Sequence, residues 1–302
     1  MKRFALLVLS LSFLVVCVSE YSAAQATDSS AILHPCGFNV IQVPGAQPES
    51  SLPTSINDEG IIVGSFQDAN NGVHGFIFKN GKFTTADFPN GRNTHLTQIN
   101  NRGQILGSVD STDTSQTPVS FVLDDGKFTV LDFPNVPSNG ITGFNDFDEF
   151  IGIDQRTGLQ GFVVVKGTRI DTPNFNGSTF FINGINDRGV LVGAAPSSDS
   201  PLILRYGQFS PLPPSPPGTG QVGVNAINNR NQIVGGLVET TSNISQAYFL
   251  SEDGVYTIFG FPGDIQNTAI AVNDRLQIVG ASADTSFKTK RWVTQLCTSP
   301  GK

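Results

Sequence analysis

One acidic residue recurs in each of six repeated segments of this chain, and these six side chains are the first candidates for chemistry. They are Asp68, Asp110, Asp154, Asp199, Glu239 and Asp284. Two carboxylates held at a defined separation can cleave a glycosidic bond, and several that converge attract a cation or a cationic ligand. If they point outward, they only solvate the loops that carry them, as most surface acids do.

Other chemistry has little support in the sequence. The histidines His34, His74 and His95 fall in different segments, which argues against a histidine metal cluster. Neither His74 nor His95 has an evident carboxylate partner in its motif, so we interpret both as polar strand-end residues rather than general bases. The chain contains no Gly-x-Ser-x-Gly, His-Glu-x-x-His or phosphate-loop motif. We therefore expect no catalytic residue, no metal and no cofactor.

The elements that position these residues come from an internal repeat. Residues 56–64, INDEGIIVG, return in five later segments with the same pattern. The six copies are marked by the asparagines Asn57, Asn100, Asn145, Asn186, Asn228 and Asn273. Successive asparagines are 43, 45, 41, 42 and 45 residues apart. Such a period predicts a repeat architecture in which each unit packs on its neighbours.

Each unit is predicted to form four short strands. The Asn can hold an Asx turn, and Gly60 supplies the positive φ of a tight hairpin. Leu276 stands at that position in the last copy, where we expect a distorted hairpin. Consecutive apolar residues in the second and third strands indicate sheets covered on both faces. Four-stranded sheets repeated around an axis make an all-β, six-bladed β-propeller.

The two ends of the chain are predicted to share the last blade. The sixth unit has its third strand near Trp292 and no fourth strand after it, whereas residues 37–45 match a fourth strand. Cys36 precedes that segment and Cys297 lies just after its expected neighbour, so we predict a disulfide between them.

The Asn-Asp turns also invite a calcium interpretation, because oxygen ligands at short spacing suit a divalent cation. Asx turns need the same residues, which favours a structural role.

The recurring I-N-D/N-x-G-x-I-V-G, followed by an aromatic strand and G-x-F, resembles the extracellular HAF-type repeat family. That resemblance covers nearly all of residues 37–296 and implies a secreted, propeller-like bacterial repeat protein of unsettled function. The chain lacks a His-Ala-Phe triplet, and residues 74–76, His-Gly-Phe, are the nearest match.

Composition and the first residues limit the class of protein and its cellular location. The 302-residue chain is 38% hydrophobic and 14% charged, with a net charge of -7, which favours a packed protein and excludes an electrostatic nucleic-acid binder. Residues 1–26 read as a signal peptide, with an apolar run at 4–18 and a small-x-small site at 24–26; lipidation of Cys17 is the alternative. We expect one secreted or periplasmic domain over residues 27–302, monomeric and without a membrane span.

These observations leave three function classes. We favour a non-catalytic binding or surface-interaction module for an extracellular protein or glycan, with the six acids as tentative ligand contacts. The alternative is a carbohydrate-active lyase or hydrolase that uses those carboxylates near a central channel. A third possibility is a purely structural envelope protein. The fold alone cannot separate them.

Overall fold

A computed structural model describes residues 33–110, 118–242 and 244–298. The described chain forms six four-stranded antiparallel sheets in six successive blades, so the predicted all-β six-bladed propeller is confirmed. The signal-peptide prediction for residues 1–26, with Cys17, lies outside the described residues. Within the described ranges no helix is long and apolar enough to cross a membrane.

The strands of blades 1 to 3 follow chain order from the axis outward. Blade 1 contains β2 (Leu52–Ile56), β3 (Ile62–Gln67), β4 (Val73–Lys79) and β5 (Lys82–Thr85). Blade 2 contains β6 (Thr94–Ile99), β7 (Ile105–Val109), β8 (Val119–Asp124) and β9 (Lys127–Val130). Blade 3 contains β10 (Ile141–Phe144), β11 (Phe150–Asp154), β12 (Gln160–Val165) and β13 (Thr168–Asp171), with a 3-10 turn at Gln155–Thr157.

Blades 4 and 5 repeat that order, and blade 6 differs from it. Blade 4 contains β14 (Phe181–Ile185), β15 (Leu191–Ala194), β16 (Leu202–Arg205) and β17 (Gln208–Pro211). Blade 5 contains β18 (Thr219–Ile227), β19 (Ile233–Glu239), β20 (Ser245–Leu250) and β21 (Tyr256–Phe259). Blade 6 contains β22 (Gln266–Val272), β23 (Gln277–Ala283), β24 (Thr289–Thr298) and, outermost, β1 (Leu33–Val40).

The pairing of β1 with β24 gives blade 6 its fourth strand. His34 lies opposite Cys297 and Val40 opposite Trp292, with a register shift between Pro35 and Phe38. The strand ends earlier than the predicted segment 37–45, because the chain turns at residues 44–45 towards blade 1. Cys36 and Cys297 form a disulfide with a Cα–Cα distance of 5.7 Å, across 261 residues. A cross-link over so long a loop restricts the unfolded chain strongly.

The first hairpin of each blade has the predicted Asx turn. In blade 1 the amide of Gly60 donates to the carbonyl of Asn57 at 2.9 Å, and Gly60 has a φ of 78°. The expected distortion at Leu276 was wrong. Leu276 adopts a φ of 62°, and its amide donates to the carbonyl of Asn273 at 3.2 Å, as in blade 1. The Asx turn therefore holds its geometry against the steric preference of leucine.

Consecutive apolar residues of the second strands are buried on opposite faces of each sheet. In β3, Ile62 packs in the cluster between blades 6 and 1, and Val63 packs in the cluster between blades 1 and 2. Both side chains are at most 2% exposed. The predicted two-sided burial is confirmed, and it fixes each blade between its neighbours.

The glycine that ends each repeat motif makes room for a ring from the third strand. Gly64 pairs with Phe76, and Gly280 pairs with Trp292. A Cβ added to Gly64 would lie 2.8 Å from Cε1 of Phe76 and would overlap the carbonyl of Leu52. A side chain at this position would therefore displace both the ring and the first strand.

Antiparallel up-and-down strands sort the connections onto two faces of the wheel. We call the face with the tight turns at residues 57–60 and their equivalents the hairpin face. The opposite face, with the second-to-third-strand loops such as residues 68–72 and the blade-to-blade connections, is the loop face.

Candidate functional site

The asparagine of each repeat motif bonds its own turn and the next blade. Asn57 Oδ1 accepts from the amides of Glu59 and Ile61 at 3.1 and 3.0 Å, which makes the Asx turn. Its Nδ2 donates to the carbonyl of Asn100 in blade 2 at 3.2 Å. The same inter-blade bond continues through Asn100 to Asn145, Asn145 to Asn186, Asn186 to Asn228, Asn228 to Asn273 and Asn273 to Asn57. These six bonds form a closed ring around the axis.

A second ring uses the residue after each asparagine. The amide of Asp58 donates to Asn101 Oδ1 at 2.9 Å, and each later member bonds the next blade in the same way. The ring closes where the amide of Asp274 donates to Asp58 Oδ1 at 2.7 Å. Its members are Asp58, Asn101, Asp146, Asp187, Asn229 and Asp274. We call these six residues the axial ring.

The axial ring brings four carboxylates together around a cavity of about 80 Å³ at the hairpin-face end of the channel. Burial, and secondarily the charge of Asp146, raises the pKa of Asp187 to about 6. Burial and the charge of Asp58 also raise the pKa of Asp274. Asn229 Nδ2 donates to Asp187 Oδ2 at 2.7 Å, which offsets part of the repulsion. Burial and mutual repulsion therefore make Asp187 and Asp274 easier to protonate than isolated aspartates.

The six predicted acids lie on the loop-face side of their blades, and none of them lines the axial cavity. Asp68 and Asp284 fold their own loops: each accepts from the amides two and four residues later. Those amide bonds lower the pKa of both carboxyls.

The other four predicted acids have local surroundings of their own. Asp110 accepts from Asn93 Nδ2 at 2.7 Å, and Glu239 accepts from Ser242 and Gln246. Asp199 is exposed. Asp154, whose side chain is only 1% exposed, pairs with Arg156 and Arg169, and the hydrogen bonds from Arg156 keep its pKa well below the usual range.

His74 has carboxylate partners that sequence reasoning missed. Its Nδ1 lies 2.8 Å from Asp87 Oδ2, and its Nε2 lies 3.5 Å from Asp68 Oδ2. The hydrogen bond to Asp87 raises the pKa of His74. Asp87 stands 13 residues later, in the connection after β5, so no local spacing reveals the contact. In the part of the chain that the structure describes, no group of three or more His, Cys, Asp or Glu is arranged to hold a metal ion.

Three larger cavities, of about 500, 510 and 310 Å³, lie at the loop face, the smallest of them against blade 3 and the connection that leads into it. One of them lies at the junction of blades 6 and 1, and we call it the seam cavity. Its lining includes Val40, Ile41, Ala46, Pro48, Glu49, Lys288, Lys290 and Arg291. Sequence analysis also missed this site, although the run Lys288-Thr289-Lys290-Arg291 concentrates positive charge in an acidic chain.

The seam cavity is lined mainly by apolar surface and by cationic side chains. Arg291 also lines the neighbouring cavity between blades 5 and 6, so its side chain stands in the wall between the two. Burial lowers the pKa of Arg291. Glu49, the acid of the cavity, accepts from the amide and the hydroxyl of Thr289 at 2.9 and 3.0 Å.

Comparisons with known proteins extend the fold assignment. No protein-family model matches the sequence, and no curated protein matches it. Among solved structures, a protein of unknown function from Dyadobacter fermentans is similar over 88% of this chain and 99% of its own, with a TM-score of 0.50 and 10% identity. The propeller domain of the Trilobed protease from Pyrococcus furiosus is similar over 83% of this chain and 98% of its own, with a TM-score of 0.50 and 10% identity.

A lower similarity, with a TM-score of 0.45 and 13% identity, links the chain to virginiamycin B lyase from Staphylococcus aureus over 88% of this chain and 90% of that one. The similarity to the propeller domain of the Trilobed protease supports the β-propeller fold and establishes no activity. The chain is a β-propeller.

Proposed function

We propose that this protein is a secreted or periplasmic, non-catalytic binding module whose ligands dock on the loop face. The observation that carries this proposal is that these three cavities of the described residues open on that face. Pockets of a few hundred cubic ångströms with a few polar groups are typical of ligand sites. The Cys36–Cys297 disulfide suits an oxidising compartment, in agreement with the signal-peptide prediction.

The axial end of the channel is less suited to a ligand. Its cavity of about 80 Å³ holds little more than a few water molecules, and one side-chain oxygen of each axial-ring residue is engaged in the inter-blade bonds. We therefore interpret the axial ring as a structural clasp. The resemblance to HAF-type repeats stays a prediction, since no family model tests it.

The carbohydrate-active enzyme remains the alternative, and the local bonds of the predicted acids weigh against it. A hydrolase or lyase needs carboxylates that face one substrate bond. Asp68 and Asp284 instead cap their own loops, and Asp154 is buried under two arginines. These three acids stabilise their own loops or pair with neighbouring arginines, and they do not face one shared substrate bond.

A two-step experiment tests the proposal. A thermal-shift screen of the purified protein against neutral and acidic glycans, small organic acids and divalent cations identifies a ligand, because binding to the folded state raises the melting temperature. Hydrogen exchange with and without that ligand then maps it. We expect protection in the connections of the loop face, such as residues 45–50 and 284–288.

Two outcomes would contradict the proposal. Protection centred on the axial ring would place the ligand on the wrong face. Shortened glycan products in the same incubations would favour the enzyme. A variant with Asp253 replaced by asparagine serves as the matched control, because this acid is exposed in the β20–β21 turn on the hairpin face and should change neither result.

A further inference from the structure

We propose that the seam cavity binds a carboxylate carried on a ring-shaped body, and that Arg291 holds that carboxylate. This inference rests on the proposed function, because it names a ligand class for one of the loop-face cavities. The proposed ligand is an anion, whereas the six acids in the sequence suggested a cationic ligand.

Arg291 is a partly buried guanidinium with unused donors. Its recorded side-chain hydrogen bond is from Nη1 to the carbonyl of Lys290 at 3.3 Å, and among the described residues it forms no ion pair. A guanidinium carries five N–H donors in a planar fork that matches a carboxylate with two parallel hydrogen bonds. The charge of Glu49 partly compensates the burial of Arg291, but no carboxylate in the described ranges bonds the guanidinium, so its fork can bond a ligand that enters the cavity.

Three cationic side chains and one carboxylate line the seam cavity. Lys290 is committed to Asp264, whose side chain is 1% exposed, and its ammonium lies 4.9 Å from the centre of the Phe261 ring. Glu49 accepts from Thr289 and keeps a charge that acts on Lys288 and Arg291, and Asp284 on the adjoining loop also acts on Lys288. In the described ranges no carboxylate lies at ion-pair distance from the guanidinium of Arg291, so this fork is the group available for an anion.

The apolar wall favours an organic anion over an inorganic one. Val40, Ile41, Ala46 and Pro48 contribute to the lining of this cavity. A hydrated sulfate or phosphate would gain nothing from that surface. A flat ring can cover it while its carboxylate reaches the guanidinium, and the burial of apolar area then adds to the charge-assisted hydrogen bonds.

Phe287, on the loop next to the cavity, supplies a second and independent observation. It is 68% exposed and has a φ of 59°. The matching loop of blade 1 has the same turn, with Asn71 at the corresponding position and a φ of 67°. Asparagine tolerates this backbone, whereas a bulky side chain there is uncommon. Backbone strain of this kind is enriched at ligand sites, and the loop of Phe287 adjoins the cavity through Lys288.

Calorimetric titration with matched pairs of probes tests the inference. The acidic probes are benzoate and D-glucuronate, and the neutral ones are benzamide and methyl glucoside. We expect the acid of at least one pair to bind at least about tenfold more tightly than its neutral partner. Preference for benzoate would indicate an aromatic acid, and preference for glucuronate would indicate an acidic glycan.

Variants then assign the contact. Arg291→Gln should weaken the acidic probe at least about tenfold, whereas Arg230→Gln, at an exposed arginine of the hairpin face, should leave it unchanged. If Arg291→Gln does not fold, Arg291→Lys keeps the charge and removes the fork, and a several-fold loss is expected. Phe287→Asn should raise the melting temperature and weaken binding, because it relieves the backbone and removes the ring.

Two results would overturn the inference: acidic probes that bind no better than neutral ones, or acid binding that survives both Arg291 substitutions. Neither result would overturn the proposed function if the screen still finds a ligand that protects the loop face. Failure of that screen together with acid binding at Arg291 would instead limit the function to this cavity.

Discussion

The side-chain amide of Asn273 donates a hydrogen bond of 2.8 Å to the backbone carbonyl of Asn57, although 216 residues separate the two. The same bond joins every other pair of neighbouring blades, so the last blade meets the first as any blade meets the next. The repeat motif is therefore a device for joining blades as well as for turning a hairpin. That double use explains why an asparagine stands there in every copy.

We predict that Asn273→Asp lowers the free energy of unfolding by about 2 kcal/mol. Aspartate keeps the oxygen that accepts from the amides of Arg275 and Gln277, so the Asx turn survives. The substitution replaces Nδ2, which donates to the carbonyl of Asn57, with a second carboxylate oxygen. Two oxygen acceptors then face each other with no hydrogen between them. Urea denaturation measures the change.

The exposed substitution Asp199→Asn is the control for Asn273→Asp and should shift the urea midpoint little, since Asp199 is exposed. Equal midpoints for the wild type and Asn273→Asp would mean that the inter-blade bond adds no stability.

The axial ring predicts an unusual pH dependence. The pKa of Asp187 is raised to about 6 from an ordinary value of 3.8, so the folded protein binds a proton that the unfolded chain has already released. Its stabilising contribution is complete below about pH 4 and is lost as the pH rises through about 6. We expect this contribution to make the free energy of unfolding fall with rising pH in that window. The lowered pKa values of Asp68 and Asp284 act in the opposite direction, below their ordinary value of 3.8.

Asp146→Asn tests this origin. Its Oδ1 still accepts from the amide of Asn101, while the charge next to Asp187 disappears. Denaturation at pH 4.5 and at pH 7 should show a smaller loss across the window in the variant than in the wild type. A loss of unchanged size would exclude repulsion within the axial ring as its cause.

A pair of glycines in blade 5 should respond very differently to alanine. A Cβ on Gly235 would lie 2.9 Å from Cε1 of Tyr248 and would overlap the carbonyl of Gly223, whereas a Cβ on Gly223 would meet only the carbonyl of Gly236 at 3.8 Å. We expect Gly235→Ala to lower the free energy of unfolding by more than about 3 kcal/mol, or to prevent folding. Gly223→Ala should stay within about 1 kcal/mol of the wild type. Similar thermal midpoints for the two variants would contradict the close-packing account.

The architecture was predictable because its determinants recur in the chain. Ile62 and Val63 are apolar neighbours in a row, and that pattern already requires a sheet covered on both faces. Asn57 and Gly60 specify the hairpin through their own backbone preferences. The same reasoning gave the wrong result at Leu276. There the hydrogen bonds to the side chain of Asn273 hold the turn, although leucine disfavours a positive φ.

The site was harder to predict, because its contacts are set by the distance between chain segments in space. His74 lies in β4 and Asp87 in the connection after β5, and Arg291 shares a cavity with Val40 only because β1 joins the last blade. Of the acids chosen for their regular recurrence, Asp68 and Asp284 cap their own loops. Recurrence at these positions therefore reflects loop structure, whereas the cavity proposed as a ligand site lies where blade 6 departs from the other blades.

In the core of blade 5, Tyr248 occupies the position that Phe76 has in blade 1. Its ring packs over Gly235 as Phe76 packs over Gly64, but its hydroxyl is buried with no hydrogen-bond partner among the described residues. Burial accordingly raises the pKa of the phenol. Tyr248→Phe should raise the free energy of unfolding by about 1–2 kcal/mol, because it removes an unpaired polar group and keeps the packing. The reverse change Phe76→Tyr in blade 1 should lower it, and calorimetry of both variants measures the difference. A Tyr248→Phe protein less stable than the wild type would show that the hydroxyl is bound after all, by a water molecule or by a moving neighbour.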